Sequence, residues 1–152
     1  MKIQITACGK LRDKNIIALI DEYSKRIPWS IKTIEVDVSN KSKNIEVTKK
    51  EEEKLLLSKI PSNHYKIALD ETGKQLTSEE FASLLAKISV NHGSNISFII
   101  GGSDGLTENV RKTADYVISF GKFTYPHMLA RLLLVEQLYR SFTISEGKSY
   151  HK

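Results

Sequence analysis

Ile96–Gly105 reads ISFIIGGSDG: five mostly apolar residues run straight into two glycines, a Ser–Asp pair and a further glycine. A short, nearly continuous apolar run of this kind is the pattern of a strand buried on both faces of a parallel sheet. Its bare end is the pattern of a strand that stops where the backbone must turn or approach something closely. Tyr65–Asp70 (YKIALD) and Tyr116–Phe120 (YVISF) read the same way, whereas Lys2–Cys8 (KIQITAC) and Ile31–Val38 (IKTIEVDV) alternate apolar and polar with period two.

Between these strands the apolar period lengthens to that of a helix. Asp13 is placed to cap a helix carrying Ile16, Ile17, Leu19, Ile20 and Tyr23, which must stop near Pro28. A second helix spans about 45–60, ahead of Pro61. A third opens on Thr77-Ser78-Glu79-Glu80, with Thr and Glu at capping-box spacing. A short one covers about 107–114, and the last runs from Pro126 or His127 to Phe142. Strand and helix alternate throughout, which predicts an α/β fold, a mostly parallel sheet with helices on both faces, in a single domain over 1–152.

At 152 residues, 40% hydrophobic and 27% charged, the chain is long enough to bury a core without staples. One cysteine, Cys8, excludes an intrachain disulfide. No apolar run approaches a membrane span and the first residues lack a signal-peptide core, so the expected setting is cytoplasmic, with no membrane partner. The formal charge of +5 suits an anionic partner. Residues 1–60 carry 13 Lys+Arg against 9 Asp+Glu, and residues 101–152 carry 7 against 5, so the excess sits at the two ends of the chain.

Spacing excludes two phosphate-binding readings of the glycine loop. A Walker loop needs Lys and then Ser or Thr after the last glycine, but Leu106-Thr107 follows here; a dinucleotide fingerprint belongs after the first strand, not the fourth. Taken alone, Gly101–Gly105 is a ligand loop or simply a tight turn needing positive φ. Further on, Ser119–Phe142 places a strand ending at Gly121, a loop to Pro126 and a helix apolar around most of its circumference. Such a helix is buried on two sides: one is its own sheet, the other a second copy of the chain or the interior of a larger monomer. On it His127 and Arg131 share a face, as do Glu136 and Arg140. The chain ends in Tyr150, His151 and Lys152: a stacking group, a titratable group and a phosphate-seeking cation.

IIGGSDGL (Ile99–Leu106), FTYPH (Phe123–His127), ARLLLVEQLYRSF (Ala130–Phe142) and the terminal YHK together resemble the ribosomal RNA large subunit methyltransferase H family, small SPOUT-class enzymes. The likeness spans the chain; one departure is Ser149, where the family usually has proline before the terminal Tyr-His. The resemblance implies a C-terminal trefoil knot, S-adenosylmethionine as cofactor with no metal, and a homodimer. The implied substrate is N3 of pseudouridine 1915 in helix 69 of 23S rRNA, within the 70S ribosome. Carried onto this chain, the cofactor cradle is Leu69, Gly102, Gly121, Lys122, Phe123, Thr124, Tyr125 and Pro126. Glu136 and His151 are candidates for removing the N3 proton and Arg140 for stabilising charge on the flanking carbonyls. His127, Arg131, Tyr150 and Lys152 are candidate RNA contacts. Two other readings are a SPOUT methyltransferase acting on tRNA and a non-catalytic ribosome-binding module; a nucleotide-hydrolysing protein ranks below both, lacking the required lysine.

Overall fold

The computed structural model describes residues 1–39 and 41–151, with the backbone alone at His151. Five strands form one sheet: β1 (Lys2–Cys8), β2 (Ser30–Val36), β3 (Tyr65–Gln75), β4 (Asn95–Ile100) and β5 (Tyr116–Ser119). Their spatial order is β2-β1-β4-β3-β5, and every pairing is parallel. Helices α1 (Lys14–Lys25), α2 (Ile45–Ser58), α3 (Ser78–Asn91), α4 (Glu108–Thr113) and α5 (His127–Ser145) join them, and a 3₁₀ turn, Ser149–His151, follows.

Pleating sends alternate residues of each strand to opposite faces, and each face has its own core. Ile3, Ile5, Ile67, Phe98 and Ile118 pack with Phe81 and Leu85 of α3 and Leu134 and Leu138 of α5. On the opposite face Cys8, Val36, Ala68 and Ile99 pack with Leu56 of α2 and Val110 of α4. The helix starts follow local chemistry. Asp13 accepts hydrogen bonds from the Asn15 and Ile16 amides, and Thr77 and Glu80 close the reciprocal capping box expected at α3.

Three features depart from the sequence reading. β2 ends at Val36, two residues short of the alternating run. β3 is five residues longer than its apolar core. Ile118 of β5 pairs first with Leu69 and then with Lys74, so the intervening residues of β3 bulge and the strand then rejoins its neighbour. Gly73 makes this possible, because a Cβ there would lie 2.5 Å from the Ile118 carbonyl carbon. The third concerns α5. Its apolar circumference is largely satisfied within the chain, with the sheet beneath it and α1 and α3 packed along its flanks. Exposed apolar side chains nevertheless remain, among them Leu129 of α5 itself, Ile17 and Leu19 of α1, and Ile45 and Val47 of α2. Among the described residues, no helix is long and apolar enough to cross a membrane.

Candidate active site

The chain leaves β5 through a tight turn. The Ser119 hydroxyl donates to the Gly121 carbonyl (2.9 Å) and accepts from the Gly121 amide (3.2 Å). Gly121 has φ +116°, in the region that favours glycine, and a Cβ there would meet nothing within 4 Å. That open side borders a cavity of about 310 Å³ with Leu76, Phe81, Ile118 and Leu133 as apolar wall and Ser78, Ser119 and Gln137 as polar groups. A mostly apolar cleft with a few convergent polar groups, at the carboxyl ends of parallel strands, is where small ligands bind in open α/β sheets.

Of the expected cradle, Gly121 and Tyr125 line this cavity. Lys122, Phe123 and Thr124 lie between these two, and Pro126 just ahead of α5, in one exposed loop, with Phe123 80% exposed. Leu69 and Gly102 do not line it. Leu69 is half-buried in β3 opposite Ile100 and Ile118. Gly102 follows β4 and bridges to Gly105, which takes the positive φ (+75°) expected of the loop. The space bared by Gly102 is not vacant: a Cβ there would lie 2.8 and 2.9 Å from the two carboxylate oxygens of Glu52.

Glu136, Arg140 and Tyr150 come together. Arg140 donates to one Glu136 oxygen through Nε (3.1 Å) and Nη2 (2.7 Å), and the Tyr150 hydroxyl donates to the same oxygen at 3.3 Å. The Arg140 guanidinium lies over the Tyr150 ring at 5.0 Å, and Tyr139 meets that ring edge-on at 4.7 Å. The hydrogen bond from Arg140 to Glu136 raises the guanidinium's pKa, and burial raises that of the Tyr150 phenol. The terminal segment thus folds back onto α5, where a free tail is the usual fate of last residues. The His151 side chain and Lys152 lie outside the described residues.

His127 and Arg131 do share a face, but it points inward. Arg131 is 2% exposed. It donates through Nη1 to Glu35 of β2 (2.6 Å) and through Nη2 to the carbonyls of Cys8 and Gly9 at the end of β1. Burial pushes the Glu35 carboxyl up, but the Leu11 amide and Arg131 outweigh this and hold it below the usual range. The His127 ring lies over Gly9, where an added Cβ would come within 3.1 Å of Nε2; burial, with Arg131 nearby, lowers its pKa. With its guanidinium engaged inside the protein, Arg131 ties α5 to the ends of β1 and β2 and offers no surface to a phosphate. Its assignment as an RNA contact is replaced by that of an anchor.

Sequence reasoning missed Gln137. Its amide donates to Glu136 (2.7 Å) and its carbonyl accepts from Ser78 (2.8 Å), so it joins the cavity wall to the Glu136–Arg140 pair. Its place beside Glu136 was the available signal; its partner on α3, 59 residues away, was not readable.

A family model described as "Predicted SPOUT methyltransferase" matches residues 1–151. Curated relatives named "Ribosomal RNA large subunit methyltransferase H" share 43% identity (Finegoldia magna), 42% (Clostridium botulinum) and 44% (Carboxydothermus hydrogenoformans) with the chain, each over 100% of both sequences. Among solved structures, a probable methylase family protein from Haemophilus influenzae superposes with a TM-score of 0.55 at 14% identity, covering 99% of this chain and 70% of that one. A probable methyltransferase from Bordetella pertussis gives 0.53 at 10% identity, covering 92% and 95%. At these identities the structural likeness speaks for the fold.

Proposed function

This chain belongs to the SPOUT methyltransferase family and, within it, to the ribosomal RNA large subunit methyltransferases H, and we propose that it methylates 23S ribosomal RNA using S-adenosylmethionine. The finer reading is transfer to N3 of pseudouridine 1915 in helix 69, on the assembled 70S ribosome, by a homodimer whose C-terminal segment forms the family's trefoil knot. The observation that carries it is the likeness of the whole chain, end to end, to relatives named for that class of activity.

The residues present suit the cofactor. The cavity of about 310 Å³ is within the size range of small-ligand sites, and Gly121 leaves its side of the loop open. Gly121 and Tyr125 would hold the cofactor from the β5 loop, the rest of Lys122–Pro126 would close over it, and Leu69, within β3 ahead of its bulge, and Gly102, just after β4, would contact it. When bound, S-adenosylmethionine supplies an electrophilic methyl group, so the chain's own task is mainly alignment and proton removal. Arg140 faces the charge that develops on the uracil carbonyls, and the Glu136 carboxylate or the His151 imidazole takes the N3 proton. Gln137 orients Glu136 from the cavity wall. Tyr150 stacks on RNA, with Lys152 at the edge of the footprint. A second copy would cover exposed apolar side chains such as Leu129 of α5 and Ile17 and Leu19 of α1.

Intact 70S ribosomes and bulk tRNA from cells lacking the protein, incubated with it and methyl-labelled cofactor, test this reading. Label in 23S rRNA, mapped by mass spectrometry to one pseudouridine, supports it; label in tRNA alone selects the tRNA reading. Absence of calorimetric heat with millimolar S-adenosylhomocysteine selects a ribosome-binding module without catalysis.

A further inference from the structure

The loop between β5 and α5 is strung across the carboxyl edge of the sheet. It leaves the outer strand β5 through Gly121 and arrives at His127, whose ring lies over Gly9 just after β1. Phe123 stands midway, with 80% of its surface in solvent. Gly121 and Tyr125, two positions to either side of it, both line the cavity, so Phe123 is held beside the cavity, within about 7 Å of each along the chain. A phenyl ring left in water adds nothing to the core.

Cations gather along the same edge. Because the strands are parallel, the β1–α1, β2–α2 and β5–α5 loops (residues 9–13, 37–44 and 120–126) all emerge there. They carry five cations, Lys10, Arg12, Lys41, Lys43 and Lys122, all exposed, against two acids, Asp13 and Asp37. Asp13 is engaged as the cap of α1. Among the described residues, Lys41 alone of the five forms an ion pair, with Glu52 at 3.9 Å. Lys41 also lies close enough for its charge to be felt at His127, which sets the β2–α2 loop beside the arriving end of the β5–α5 loop.

An exposed aromatic ring among free cations suits an unpaired stretch of nucleic acid: the cations track the backbone and the ring takes the face of a base. A protein partner is the poorer match, since lysine is depleted in protein interfaces. We propose that this edge is the RNA-docking face, on which Phe123 stacks against an unpaired base next to the one being methylated. Lys10, Arg12, Lys41 and Lys43 hold the phosphates leading away from that base. The inference rests on the ribosomal RNA reading above. It gives the β5–α5 loop two sides, Gly121 and Tyr125 toward the cofactor and Phe123 toward the RNA.

Cosedimentation of the full chain with 70S ribosomes from cells lacking the protein, over a range of salt concentrations, tests it. Phe123→Ala should weaken binding about 10- to 100-fold with the salt slope unchanged, and Phe123→Trp should restore it. Lys10→Gln combined with Arg12→Gln should flatten the slope of log affinity against log salt by about 0.7–0.9 for each cation removed. Melting curves check that the variants fold, and calorimetry with S-adenosylhomocysteine reads the cofactor site separately. Phe123→Ala binding ribosomes as wild type does, or an unaltered slope in the double variant, overturns the inference. So does an equal loss of ribosome and S-adenosylhomocysteine affinity in Phe123→Ala, which makes the residue a cofactor lid. A lower sedimentation mass for free Phe123→Ala also overturns it, giving the face to a second copy. In each of these cases the ribosomal RNA reading stands; wild type without affinity for ribosomes overturns both.

Discussion

Replacing Arg131 with methionine separates an anchor from an RNA contact. Methionine keeps most of the apolar stem and removes the guanidinium. The Cys8 and Gly9 carbonyls then lose a charged donor, and leaving buried acceptors unpaired costs about 1–3 kcal/mol. Glu35 loses its partner as well, but its side chain is 34% exposed and water replaces much of the interaction, a further loss of about 1 kcal/mol at most. A total near 3 kcal/mol corresponds to a fall of about 6–12 °C in Tm for a chain of this size. Thermal melts followed by circular dichroism, at one protein concentration, measure it. Acid dependence gives a second readout. The Glu35 carboxyl is held below its unfolded value, so its contribution is complete above about pH 4.5 and is lost as pH falls through the lower folded value. Arg131→Met should flatten that loss. A phosphate-binding arginine would behave otherwise: Tm unchanged, and the salt dependence of RNA binding reduced by about one unit of slope. A melt within 2 °C of wild type together with that change of slope would refute the anchor assignment.

The other expectations concern the site and its supports. Gly73→Ala puts a methyl group 2.5 Å from the Ile118 backbone; the forced shift of β5 should cost about 1–3 kcal/mol and weaken S-adenosylhomocysteine binding, read by urea unfolding and calorimetry. The depressed pKa of His127 means that stability falls as pH drops below about 6.5 through the folded value, so wild-type and His127→Gln melts should converge in acid. Glu136→Ala, Arg140→Ala and a chain ending at Gly147 should each slow methyl transfer to ribosomes at least about 100-fold, the scale of one acid–base or electrostatic contribution. Near-normal rates in all three remove the proposed reaction centre. Tyr150→Phe removes the hydroxyl that Glu136 accepts from while keeping the ring over Arg140, so a smaller loss than truncation is expected.

Much of this architecture was legible before any coordinates, because it depends on short-range regularities. Period-two and period-3.6 patterns mark strands and helices through side-chain geometry over a few residues, and Asp13 and Thr77 announce their helices through hydrogen bonds spanning two or three positions. Gly105 and Gly121 take the positive φ that only a side-chain-free residue adopts easily. The motifs around Gly101–Leu106 and Phe123–Phe142 carried the family. The strand order β2-β1-β4-β3-β5 had no such local mark, since it is settled by which faces bury one another across the whole chain. The same holds for the residues whose roles changed. Arg131 resembles any helix-surface cation until β2, 96 residues away, presents Glu35 to it. Glu52 sits in a charged run that reads as solvated helix face, and only the packing of α2 on the sheet turns it inward against Gly102. A side chain's environment is a property of its distant neighbours, so tertiary contact decided which polar residues are surface, anchor or site.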